Sequence, residues 1–360
     1  MIKKTLFDEN LTYDEAVQLI KDGVDVNERN DYDNAPLHVV QEFKIAELLI
    51  NNGANVNQLD DCDNTPLHLV NDINIAKLLI AHGADVNAKS VGGCTPLHFI
   101  RDVEIAQLLI EHHADVNVMD NGGNTPLFFV DNIQVAELLI QHGADVNATN
   151  KTDFIPLHSA YNLEIAQLFI KHGARINHRN IFGKTPLGTC SVLETMKLLI
   201  DHGADIHCYE DQTIPWCVAH DYHMMELFIK NGANINALYT SEANILTAMQ
   251  NIPFDVLELL IKSGLNINHR DKYGYTALGQ FALRGCQTEG LVKFMIDNGA
   301  VPCSRYCYLA FHDIFTQEQQ RAFDSFLLLF NDDNEMFFNM CVAYQKENKK
   351  EITLTDVEII

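Results

Sequence analysis

Histidine is the residue with the most potential for chemistry in this chain, which carries 16 of them in 360 residues. His38, His68, His98 and His158 each close a tetrapeptide of the form x-Pro-Leu-His. His82, His112, His142, His172 and His202 each end an apolar run. Imidazoles recurring in register would form ladders, and imidazole is a common zinc ligand. A histidine in the last turn of a helix also complements the helix dipole without any ligand, and that plainer reading is preferred for the second set. Cys217, His220, Asp221 and His223 form a tighter group. They could hold zinc, but no second pair with recognised ligand spacing lies nearby, so ordinary turn residues are expected. Cys303-x-x-x-Cys307 is a weaker candidate still. No glycine-rich phosphate loop, G-x-S-x-G or H-E-x-x-H motif is present. A Cys/His nucleophile pair meets in space rather than in sequence, but no catalytic residue, metal or cofactor is expected.

The elements that would position these side chains follow a strict period. In the stretch 61–90, DCDNTPLHLVNDINIAKLLIAHGADVNAKS, Gly83 serves as a marker. Its counterparts are Gly23, Gly53, His113, Gly143, Gly173 and Gly203, an unbroken spacing of 30 residues. Looser matches follow at Gly232, Gly264 and Gly299. A fixed period in this range is the signature of stacked repeats. Within the unit, Thr65 stands at an N-cap with Pro66 in the first turn, where its missing N–H costs nothing. Leu67 and Val70 give the short first helix one buried side. Asn71 and Asp72 make a polar break. Ile75, Ala76, Leu78, Leu79 and Ile80 supply the apolar stripe of a second helix, which Gly83 ends in the left-handed conformation. Ala84 to Ser90 then run out as a finger. Asp33, Asp63, Gly93, Gly123, Asp153 and Gly183 sit two residues before the N-cap, and are types that tolerate tight turns.

The phrases T-P-L-H and G-A-D-V-N in this order closely resemble the ankyrin repeat, over roughly residues 12–304. The resemblance implies an all-α ankyrin-repeat solenoid of stacked helix pairs with β-turn fingers. It implies a structural hydrogen bond for the T-P-L-H histidine. It also implies that Asn27, Asn57, Asn87, Asn117, Asn147 and Asn177 tie one finger to the next, and asparagines at this place in family members are hydroxylation substrates. Ankyrin units usually have about 33 residues. Here three are missing at the end of the first helix and the turn after it, and the small position two residues after the histidine becomes Val40, Val70, Ile100 or Val130. A shortened first helix with a bulkier core is predicted, and it bears on the superhelical curvature.

Composition narrows the partners. Lys and Arg total 25 against 49 Asp and Glu, a formal charge of −24. Such a surface repels nucleic acid and anionic membranes and suits a basic protein partner; it is also an ordinary solubility device. Nine scattered cysteines follow no disulfide framework, so free thiols and a cytoplasmic setting are expected. Neither a secretory signal nor a run of about 18 apolar residues is visible. A monomer is expected.

Residues 1–30 read as an N-terminal capping repeat, with Thr12 and Glu15 as a capping box and a short cap helix holding Ile2, Leu6 and Phe7. Residues 31–304 form the repeat array, decaying from about 208. Residues 305–360 are expected to be a helical C-terminal cap or docking segment, with helices over 305–315, from Thr316 to Phe330 and from Glu335 to Gln345. Ankyrin arrays present finger tips and first-helix surfaces to partners, and aromatic or Arg side chains at variable positions are the usual anchors. Tyr32, Arg101, Asp131, Phe154, Tyr161 and Phe182 meet that description; Tyr273 is a further finger aromatic. The function expected is a protein-interaction scaffold. An Asn- and Ile-rich composition fits a host-adapted microbe, whose effector would act in host cytosol. Alternatives are an adaptor whose C-terminal helices recruit a second protein such as ubiquitin machinery, or a metal or enzymatic protein using Cys217, His220 and His223.

Overall fold

In the computed structural model, the residues described are 4–8, 10–208, 218–239, 242–248, 252–283, 289–329 and 334–346. Among them the chain is helical with no β-strand. Residues up to Gly203 form one compact unit and those from Ala204 a second.

The first unit opens with the capping box predicted for it. Thr12 N–H donates to Glu15 Oε2 at 3.1 Å, and Glu15 N–H to Thr12 Oγ1 at 3.4 Å, so two orphan donors of the helix Tyr13–Lys21 are satisfied reciprocally. No cap helix precedes it among residues 4–8, which turn instead, with Leu6 buried; Ile2 lies outside the described residues.

Each following unit pairs a very short first helix with a nine-residue second helix. The first helices are Pro36–Val39, Pro66–Leu69, Pro96–Phe99 and Pro186–Thr189, with single 3-10 turns at Pro126–Phe128 and Pro156–Ser159. Their shortness has a local cause. Val70 already sits at φ −67°, ψ 136°, an extended conformation, so the chain leaves the helix after one turn. The bulkier residues there do not make a uniformly fatter core: Ile100 is buried, whereas Val40, Val70 and Val130 are half-buried. Asp72, Asp102, Asn132 and Asn162 then cap the second helices, each accepting from two backbone N–H groups, the usual N-cap role of these side chains. In the second helix Ile73–Ala81, Ile75, Ala76 and Leu79 are buried. The equivalents Ile105, Ala106 and Leu109 repeat the pattern. A fully buried Leu or Ile is worth about 1.5–3 kcal/mol, and no unit can bury this face alone.

All the helix-ending markers from Gly23 to Gly299 have positive φ, and His113 at +69° shares the conformation. The finger turns behave alike: Asp33, Asp63 and Asp153 are at +59°, and Gly93, Gly123 and Gly183 between +69° and +82°.

The second unit is less regular. Its second helices are Tyr222–Lys230, Phe254–Lys262 and Glu289–Asp297. The first helix Ala277–Leu283 has seven residues, longer than any in the first unit. Beyond it, the expected helix over 305–315 breaks into Arg305–Ala310 and a 3-10 turn at His312–Ile314. Tyr308 accounts for the break: its buried ring meets Phe315, Phe323 and Phe337, and its hydroxyl donates to Asp324 Oδ1 at 2.9 Å. A straight helix would carry Phe315 away from that cluster. Gln317–Leu329 follows, opened by a second capping box between Thr316 and Gln319, then Asn334–Lys346.

Candidate functional site

The histidines of the x-Pro-Leu-His motif are joints between units. Thr65 N–H donates to His68 Nδ1 at 3.0 Å, which makes Nδ1 the acceptor. The other nitrogen therefore carries the proton and donates to the Cys94 carbonyl, 3.1 Å away in the next finger. His38 reaches the Asn64 carbonyl, His98 that of Asn124 and His158 that of Lys184 in the same way. Burial, the largest influence, pushes the pKa of His68, His98 and His158 below the ordinary value, although each accepting carbonyl pulls it back up. A metal at either nitrogen would have to displace the hydrogen bond which that nitrogen makes.

The Thr65 and Thr95 hydroxyls lie 2.9 and 3.0 Å from the same Nδ1 atoms. Where the histidine is replaced, by Phe128 and by Gly188, the buried hydroxyls of Thr125 and Thr185 have no hydrogen-bond partner.

The repeated asparagines form a second set of joints. Asn117 Nδ2 donates to the Gly143 carbonyl at 2.9 Å, and its Oδ1 accepts from Asp145 N–H at 2.8 Å. Asn27, Asn57, Asn87 and Asn147 bridge the following helix-ending turn alike. In the second unit Asn236 and Asn268 do so at Gly264 and Gly299. The partner is thus the turn that ends the next unit's second helix. Fingers are linked separately by their backbones: Val91 N–H donates to Cys62 O, Asn121 to Gly92, Lys151 to Gly122 and Ile181 to Thr152.

Against this frame, Tyr32 is 73% exposed, Tyr161 65% and Phe182 61%. Tyr32 and Phe182 sit on fingers and Tyr161 at the turn between helices, at the other end of a single-turn first helix. Arg101 and Asp131, one unit apart, form an exposed ion pair at 3.2 Å, and Asn132 Nδ2 donates to the Arg101 carbonyl at 3.0 Å. Phe154 is half-buried, its ring 5.0 Å from that of His158, so it packs behind the surface. Sequence reading did not single out Val39, Leu69, Phe99 and Phe129, large apolar residues exposed at the ends of four successive first helices. Comparing units at the position after the histidine would have found them.

Of the zinc candidates, Cys217 lies outside the described residues. His220 and His223 are exposed, and Asp221 caps the helix Tyr222–Lys230 by accepting from Met224 N–H. Among the described residues one trio, Asp60, Asp61 and Cys62, brings potential ligand atoms within 4.8 Å. Asp60 is already engaged there, its Oδ1 accepting from Cys62 and Asn64 N–H to shape the finger. Cys62, Cys94, Cys190, Cys208, Cys303, Cys307 and Cys341 are free thiols. Cys303 and Cys307 are both buried; a hydrogen bond from Cys307 holds the Cys303 thiol down at about 6. No described helix is long and apolar enough to cross a membrane.

A sequence model described as ankyrin repeats (3 copies) matches residues 9–90, 70–150 and 131–210. Among solved structures, the ankyrin repeat domain of Bcl-3, described as a unique member of the IkappaB protein family, is 26% identical. That similarity spans 54% of this chain and 95% of the other, with a TM-score of 0.44. No curated protein matches the chain.

Proposed function

Because the chain belongs to the ankyrin-repeat family, we propose that it is a non-catalytic scaffold holding a partner protein on its finger tips and first-helix surfaces. Ankyrin repeats are protein–protein interaction modules. The observation that carries the reading is a division of labour between positions. The constant Asn and His side chains are consumed in joints between units, while aromatics at positions that vary between units stand in solvent. Tyr161 and Phe182 are the proposed anchors, with Tyr32 and the Arg101–Asp131 pair as further contacts and Phe154 supporting from behind.

Affinity purification on immobilised protein, followed by identification of what co-elutes, tests this. Tyr161→Ala and Phe182→Ala should each weaken capture of the recovered partner by about 1–3 kcal/mol, as anchor truncations do. Their melting temperatures should barely move, because neither side chain lies in a joint. Removing residues 305–360 should leave binding intact. Lost binding in that truncation, with unchanged affinity in the Tyr161/Phe182 double variant, would move the site to the C-terminal segment and favour the adaptor reading. That segment packs on the last repeat, with the Arg270 guanidinium 4.9 Å from the centre of the buried Phe338 ring, which supports a cap. The identity of the recovered protein decides whether the role is that of a microbial effector. Bound-metal mass spectrometry tests the Cys217, His220 and His223 alternative.

A further inference from the structure

Val39, Leu69, Phe99 and Phe129 recur every 30 residues and remain between 40% and 48% exposed. They are not displaced core residues, because Leu37, Leu67, Leu97 and Leu127 in the same helices are buried. The two phenylalanines are also held in place. The Phe99 ring lies 6.0 Å from that of His68, and Phe129 lies 5.8 Å from His98. Each phenylalanine therefore rests on a histidine of the preceding unit that two hydrogen bonds already fix. The series ends in polar residues, Ser159 and Thr189. At its N-terminal end it meets a groove of about 840 Å³, lined by Leu11, Val40, Leu69 and Val70 among others, with Asp8 and Glu42 also on its walls.

Charge identifies what would cover such a ridge. Asp61, Asp63 and Asp120 stand on the finger side, and Glu42, Asp72 and Asp131 on the side of the turn between helices. The cations in the same stretches are Arg29, Lys44, Lys89 and Arg101; Arg29 pairs with Asp33, and Arg101 with Asp131. An apolar strip between acidic margins attracts apolar and cationic groups together. A second copy of this chain, itself at −24, would be repelled, as would nucleic acid.

We propose that the Val39–Leu69–Phe99–Phe129 ridge and its terminal groove are the docking track for a segment of another protein, one that presents large apolar side chains flanked by Lys or Arg. The proposal rests on the protein-binding reading above and names the chemistry of the partner. Its test is selection of a displayed library of random 16-residue peptides on the full-length protein, with the recovered peptides resynthesised and their affinities measured. Recovered peptides should combine Leu, Ile, Phe or Trp with Lys or Arg. Their binding should fall at least tenfold in Phe99→Ser/Phe129→Ser, checked for unchanged circular dichroism. It should fall severalfold in Glu42→Lys/Asp131→Lys, which leaves the apolar ridge untouched, and should weaken with added salt. Recovery of no peptide, of acidic or purely polar peptides, or of peptides that bind both variants like the parent would overturn the proposal. Peptides lost only in Tyr161→Ala/Phe182→Ala would remove the ridge while leaving the protein-binding reading in place. If the lysate experiment also recovers nothing, that reading falls separately.

Discussion

Thr95 and Thr125 occupy the same place in neighbouring units, yet only the first hydroxyl has a partner. A buried hydroxyl without a hydrogen bond is a net cost, whereas a paired one contributes about 1 kcal/mol. Thr95→Val should therefore destabilise by about 1 kcal/mol, while Thr125→Val should be neutral or stabilising by up to about 1 kcal/mol; urea unfolding of the two variants checks the contrast. The histidines add a dependence on pH. Protonated Nδ1 could no longer accept from the backbone of residues 65, 95 or 155, and burial opposes the charge. Asp60 and Asp120 raise the pKa of His68 and His98, but not enough to reverse the effect of burial. With the folded pKa below the unfolded one, the unfolded chain binds more protons in between. The stability these rings contribute is thus complete above the unfolded value, about 6.5, and is lost as pH falls through the folded values. Melting temperatures measured from pH 7.5 downwards should show this loss, and NMR titration should place the three rings below ordinary histidines. A loss centred above pH 7 would contradict the assignment.

At the scale of elements, His113 isolates the energetics of a helix end. The glycines in its place at Gly53, Gly83 and Gly143 have nothing within 4 Å of an added Cβ. The cost of His113 is therefore one of backbone conformation alone, φ +69° in an L-residue. His113→Gly should stabilise by about 1 kcal/mol, readable as a rise in melting temperature. A fall would mean that the ring makes a contact worth more than the strain. Much of this level was legible in the sequence because it is encoded locally: both capping boxes, the Asp/Gly finger turns and the helix-ending glycines need only neighbouring residues. The joints of Asn117 and His68 were legible through family resemblance. What escaped depends on residues distant in sequence. The break after Ala310 follows from Tyr308 gathering Phe315, Phe323 and Phe337. The burial of Phe154 against His158 and the outward setting of Phe99 and Phe129 likewise follow from how units stack, which a periodic pattern does not specify.

For the whole molecule the dominant quantity is charge. At −24 the folded chain is opposed by its own repulsion, and ion pairs such as Lys230–Glu226 and Arg101–Asp131 are exposed, each worth about 0–1 kcal/mol. Raising salt from about 10 to about 150 mM shortens the screening length from about 30 to about 8 Å. The melting temperature should therefore rise with salt, and a fall would show that attractive pairs outweigh the repulsion. The asparagine joints carry a different kind of consequence. Asn57, Asn87, Asn117 and Asn147 each address the same two backbone groups of the next turn, irrespective of what that unit displays. Excise residues 91–120, and Asn87 faces the Gly143 carbonyl and Asp145 N–H in place of His113 and Asp115. Duplicate them, and the new junction again joins like to like. A gene encoding such units can therefore gain or lose a whole unit in frame without disturbing either seam, so lineages can remodel what the surface displays by recombination rather than by one point mutation at a time. At position 207 the series is interrupted, since His207 stands where the asparagine of the seam would be, and it resumes at Asn236.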